Sequence, residues 1–226
     1  MSEQLTYSKT NFYEKSTEAE IAAAYDYCKG YMAYMDASKT ERETVTESIK
    51  MAEAHGYKPY EFGMELKAGD KYYYNNRGKN LFVFSIGSED IRNGIRIVAS
   101  HVDAPRIDLK QVPLYEDSGM CFFKTHYYGG IRKYQWTAVP LAIHGVFAKK
   151  DGTVVEVTIG EDENDPIFVV NDLLPHLAAE QSKRPLSQGI KGEELNVLIG
   201  SMPFEDDSES ELVKLNLLNI LYEKYG

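Results

Sequence analysis

Cysteine is scarce in this 226-residue chain: Cys28 and Cys121 stand far apart and outside any Cys-x-x-Cys pairing, which excludes a disulfide framework and a thiolate zinc site. Both read as buried thiols. Long hydrophobic runs are missing too. The longest apolar stretches, Leu81 to Ile86 and Ile95 to Ala99, are strand-sized and far short of the roughly 18 residues that a membrane helix needs, so no membrane partner is expected. Basic runs are also lacking. A formal net charge of -10 offers no face for neutralising phosphates, and nucleic acid is not an expected partner. The start, Met1-Ser2-Glu3-Gln4-Leu5, carries an acid where an export signal carries basic residues, and no hydrophobic segment follows, so the expected location is cytoplasmic.

What is present suffices for one large core or two modest domains, with 43% of residues hydrophobic. Thr17-Glu18-Ala19-Glu20 has the form of a capping box, and Ile21, Tyr25, Cys28, Met32 and Met35 recur behind it at helical spacing, predicting a helix to about Asp36. Thr40-Glu41-Arg42-Glu43 repeats the signature before the stripe Val45, Ile49, Ala52, and Gly56 sits where a glycine would stop that helix. The period then shortens. Tyr72 to Tyr74, a turn at Asn75 to Gly78, and Leu81 to Ile86 predict a hairpin, and the near-continuous apolar run Ile95 to Ser100 predicts a buried strand that delivers His101 at its end.

Strand signals dominate between about Arg106 and Gly200, at Met120 to His126, Leu141 to Ala148, Val154 to Ile159, Ile167 to Val170 and Leu195 to Gly200, with a turn at Lys150-Asp151-Gly152. Pro175 to Gln181 reads as a short helical turn. A third capping box, Ser208 to Glu211, precedes Leu212, Leu215, Leu218, Leu221 and Tyr222 on a last helix. The predicted fold class is α/β, divided into residues 1–105, a β-rich part 106–200, and 201–226.

The residues that could carry chemistry are His101 and Asp103. They lie two apart at an expected strand end, where ligands of open α/β sheets gather. A metal-bound histidine usually donates its second ring N–H to a carboxylate or carbonyl, and His-x-Asp suits that pairing. A plainer reading stands beside it, in which His101 is a hydrogen-bonded histidine and Asp103 caps the following turn. His55, His126, His144 and His176 form no recognisable ligand pair such as His-x-x-x-His.

The run Ser100-His101-Val102-Asp103-Ala104-Pro105-Arg106 resembles the Ser-His-x-Asp-x-Pro stretch of M18 aminopeptidases, co-catalytic zinc enzymes. Tyr128-Gly129-Gly130-Ile131 resembles the segment opening that family's inserted β domain, and Leu174-Pro175-His176-Leu177-Ala178 its Pro-His-Leu-Ala segment. Leu5 to Ser16 is compatible with its N-terminal segment. The resemblance implies an incomplete α/β metallopeptidase catalytic domain interrupted by a β-rich oligomerisation domain. It implies a peptide substrate, a homo-oligomer formed through the β-rich insert, and two zinc ions in a complete enzyme. His101 would be a zinc ligand and Asp103 the carboxylate that orients it. The other ligands and a glutamate base would lie beyond the last helix, so the chain would be a fragment inactive by itself; alternatively it would persist as a non-catalytic oligomerisation or peptide-binding module. Some family members carry a second histidine four residues after the first in the Pro-His-Leu-Ala segment, where this chain has Glu180.

Overall fold

The computed structural model describes residues 6–205 and 211–225. Its chain divides into two units, Met1–Asp103 and Ala104–Gly226.

The first unit begins with a single turn, α1 (Phe12–Lys15), and two helices, α2 (Glu18–Ala37) and α3 (Glu41–Ala54). Both long helices start where the capping boxes put them. Thr17 and Thr40 accept from the backbone N–H of Glu20 and Glu43, whose carboxylates accept in return from the threonine N–H groups. Helix α3 stops at His55, and Gly56 follows with φ of 82°, the left-handed conformation that glycine adopts without a Cβ penalty. A three-stranded sheet in the order β1-β2-β3 completes the unit, from β1 (Lys58–Pro59), β2 (Lys71–Asn76) and β3 (Asn80–Ser85), with β2 and β3 forming the expected hairpin. Val45 and Ala52 of α3 and Tyr73 of β2 are buried, and the Tyr73 hydroxyl donates to Glu53 of α3 at 2.6 Å. That bond to a carboxylate, aided by burial, raises the Tyr73 pKa.

Two expectations fail in this unit. Ile95 to Ser100 forms no strand: it is irregular and pairs with nothing among the described residues, and Val98 is fully exposed. An apolar run becomes a strand only when neighbours take up its backbone N–H and C=O groups, and no described segment does so. Cys28 is exposed rather than buried: no residue of α2 is buried, and of its apolar stripe only Ile21 is half-covered.

The second unit holds a four-stranded antiparallel sheet in the order β4-β5-β9-β8, from β4 (Arg106–Asp117), β5 (Met120–Tyr128), β8 (Val169–Val170) and β9 (Val197–Gly200). Strands β6 (Ile143–Ala148) and β7 (Val154–Ile159) make a separate hairpin around the predicted turn. Ser118 and Gly119, both at positive φ, link β4 to β5 in the left-handed two-residue turn that matches strand twist. The register of β4 on β5 shifts between Leu109 and Leu114, where Val112 sits at positive φ beside Pro113. The core gathers Cys121, Val157, Ile159, Phe168, Val170, Ile190, Leu195, Val197, Ile199 and Val213.

A single turn, α4 (Leu186–Gly189), precedes β9, and a final helix, α5 (Leu212–Tyr225), packs Val213 into this core. The Glu116 carboxylate of β4 accepts from the N–H groups of Val213 and Lys214 at 3.0 Å each, satisfying donors at the start of α5. The capping box at Ser208 lies outside the described residues. Pro175 to Gln181 forms turns, with Ala178 buried, followed by a 3-10 turn at Gln181–Lys183.

Gly160 ends β7 at φ of 104°, and a Cβ there would meet the Ala142 Cα at 3.0 Å and its Cβ at 3.2 Å. Backbone and methyl neighbours have little room to give. Gly160→Ala should therefore cost about 2 kcal/mol, read as a lowered urea midpoint of the second unit at unchanged slope.

Candidate metal centre

His101 follows the irregular segment instead of a strand end, and its side chain is 81% exposed. The expected pairing with Asp103 is nevertheless formed. The imidazole Nδ1 lies 2.8 Å from the Asp103 backbone oxygen and 3.2 Å from its Oδ1. Both partners can only accept from a neutral ring nitrogen, so Nδ1 carries the proton. In the neutral imidazole Nε2 then holds the lone pair, which is the tautomer a metal ligand requires. A carbonyl and a carboxylate from one residue hold the ring without help from regular structure.

One imidazole is not a metal site. A catalytic zinc takes three protein ligands and keeps one position open. Among the described residues no three His, Cys, Asp or Glu side chains converge as a metal group. The donor set therefore fits one corner of a zinc site and not a whole one.

Two of the remaining histidines have hydrogen-bond partners elsewhere. His55 Nδ1 lies 2.8 Å from the Met51 carbonyl oxygen at the end of α3, and His144 Nε2 lies 2.8 Å from Glu161 Oε1. His126 is exposed on β5, across the ladder from Asp108, with Nε2 3.8 Å from Oδ2. His176 is exposed within the turns after Leu174. Cys121 is fully buried, and that burial pushes its thiol pKa up, so it makes a poor nucleophile.

Sequence reasoning passed over one cluster close by in the chain. Arg106 Nε donates to Asp108 Oδ1 at 2.7 Å, Nη1 donates to the Ala104 carbonyl at 3.3 Å, and the guanidinium lies 4.4 Å from the centre of the Tyr128 ring. The spacing of Arg106 and Asp108, two apart on one strand face, was the available signal.

The family described as Aminopeptidase I zinc metalloprotease (M18) matches residues 34–226. A probable M18 family aminopeptidase 1 of Clostridium acetobutylicum is 50% identical over 219 residues, which span 95% of this chain and 47% of that protein. The chain belongs to the M18 aminopeptidase family. The crystal structure of an M18 family aminopeptidase from Thermotoga maritima superposes with a TM-score of 0.89 at 41% identity, covering 98% of this chain and 48% of that one. Aminopeptidase I of Clostridium acetobutylicum superposes with a TM-score of 0.85 at 45% identity, covering 97% and 49%. The M18 family is one of zinc metalloproteases, and zinc is accordingly the metal to consider at His101. This chain spans about half the length of the M18 relatives it matches. No described helix is long and apolar enough to cross a membrane.

Proposed function

We propose that this chain supplies one corner of a two-zinc aminopeptidase that removes N-terminal residues from peptides. The observation that carries the reading is the His101 ring held through Nδ1 on Asp103, which leaves Nε2 as the nitrogen available to a metal. His101 is the zinc ligand. Asp103 fixes its tautomer and raises its basicity. Zinc in such a site acidifies a bound water and polarises the scissile carbonyl. The further ligands and the glutamate base come from the half of the family's length that this chain does not span, so the chain by itself is inactive.

On this reading residues 106–200 are the oligomer-forming part inserted into the catalytic domain, and residues 201–226 begin the return. The support is chain order: the strands of the second unit start directly after the His101-Asp103 contact, at Arg106.

Joining this sequence to the second half of the Clostridium acetobutylicum relative gives the test. The joined protein, supplied with zinc, should hydrolyse aminoacyl-anilides, and a chelator should stop it. A folded joined protein that stays inert with zinc, cobalt and manganese would defeat the proposal.

A further inference from the structure

Arg106 opens β4 directly opposite Tyr128, the last residue of β5, and Asp108 stands two places on along the same face, opposite His126. From there the guanidinium makes three contacts at once. It lies 4.4 Å from the centre of the Tyr128 ring, Nε donates to Asp108 Oδ1 at 2.7 Å, and Nη1 turns back along the chain to donate to the Ala104 carbonyl at 3.3 Å. The Arg106 and Asp108 side chains are 27% and 31% exposed, so the pair is partly withdrawn from screening by solvent. Beside it Gly129 lies against Pro105: a Cβ on Gly129 would meet the Pro105 Cα and Cβ at 3.4 Å each. A pair that only stabilised the β4–β5 ladder would not need the third bond, to a carbonyl that lies outside the ladder.

We infer that Arg106 is a positioning residue for the His101-Asp103 pair, acting through the backbone on which the pair's contact depends. The inference deepens the proposed function and rests on it wherever zinc is concerned. The Asp103 carbonyl oxygen holds the His101 ring, 2.8 Å from Nδ1. Only φ and ψ of Ala104 separate that carbonyl from the one that Arg106 holds. Both angles are already narrowed, because Ala104 precedes a proline and is pushed to extended backbone. With the Ala104 oxygen tied to Nη1 and Pro105 packed on Gly129, the Asp103 carbonyl has little freedom to turn away from the ring. The run from Ile95 to Pro105 has no ladder to stiffen it, and this hold does what a strand end would have done. Lysine is no substitute. A single ammonium has no plane to lay on Tyr128 and no rigid fork to reach Asp108 and Ala104 together.

The test reads the His101 tautomer by nitrogen-15 NMR of the 226-residue chain at alkaline pH, the signal being the one that His101→Ala removes. The wild-type ring should carry its proton on Nδ1. Arg106→Lys, which keeps the charge, should shift it toward the mixture shown by a free peptide of residues 100–104. Arg184→Lys is the matched control: Arg184 also bridges a carboxylate and a carbonyl, those of Glu194 and Gly189, and its loss should leave the tautomer unchanged. In the joined full-length protein Arg106→Lys should lower kcat/KM about 3–10-fold, less than loss of a direct outer partner of the ligand, and the loss should shrink as zinc is raised. If Arg106→Lys melts well below Arg184→Lys, Asp108→Asn decides, since it frees Nε, leaves the arginine in place, and should move the tautomer in the same direction. A folded variant with the wild-type tautomer would overturn the inference, and so would equal shifts in Arg106→Lys and Arg184→Lys. A joined protein that is active while Arg106→Lys changes neither tautomer nor kcat/KM would leave the proposed function standing and remove this inference. A tautomer that depends on Arg106 in a protein that stays inert with zinc would do the reverse.

Discussion

Replacing His101 by Ala in a protein that joins this sequence to the other half of its family's length should lower kcat/KM for peptide substrates by at least about 100-fold. Removing the orienting partner of a metal-bound histidine typically costs 10–100-fold, and removing the ligand itself costs no less. Asp103→Asn separates the two roles. The amide keeps the side chain's size and can still present an oxygen to the ring, but it lacks the charge that raises imidazole basicity. Its loss should fall within that 10–100-fold range and shrink as zinc in the assay is raised. The backbone oxygen of Asp103, 2.8 Å from Nδ1, survives the substitution and keeps part of the tautomer control. Equal losses in the two variants, insensitive to added zinc, would mean that His101 and Asp103 act as a structural pair.

Leu195→Ala should produce the largest loss of stability in the second unit, about 2–5 kcal/mol in urea unfolding. Leu195 is fully buried in the core, and its carbonyl accepts from the hydroxyl of Thr125, itself buried on β5. Truncation leaves a cavity among neighbours from β5, β7, β9 and α5, which cannot all collapse toward one point. The first unit should keep its melting behaviour, because its buried residues, Val45, Ala52 and Tyr73, belong to a separate core. A single cooperative loss of both units would show that they unfold together.

How much of this was legible in the sequence depended on how local the governing physics is. The capping boxes at Thr17 and Thr40 could be read because their donors and acceptors lie three residues apart. The β2–β3 and β6–β7 hairpins could be read because short turns fix their register. Strand β4 was not singled out: Pro113 and the shift between Leu109 and Leu114 break its alternation. Ile95 to Ser100 was misread because a buried strand is defined by its neighbours, and composition cannot supply them. Cys28 failed in the same way, since its helical position was right but nothing described covers that side of α2.

The site shows the same division. The His101-Asp103 contact was readable from a spacing of two, and it forms although the strand expected to present it does not. The contact depends only on the carbonyl and carboxylate of Asp103, within the same short run. Arg106, Asp108 and Tyr128 come together across two strands, and only the β4–β5 ladder shows that they meet.

The most direct test of the central claim, that His101 is a zinc ligand, is the zinc content of the joined full-length protein and of its His101→Ala variant after dialysis. The account predicts zinc bound in the parent protein and at least one equivalent lost in a variant that is still folded. Equal zinc in both would contradict it.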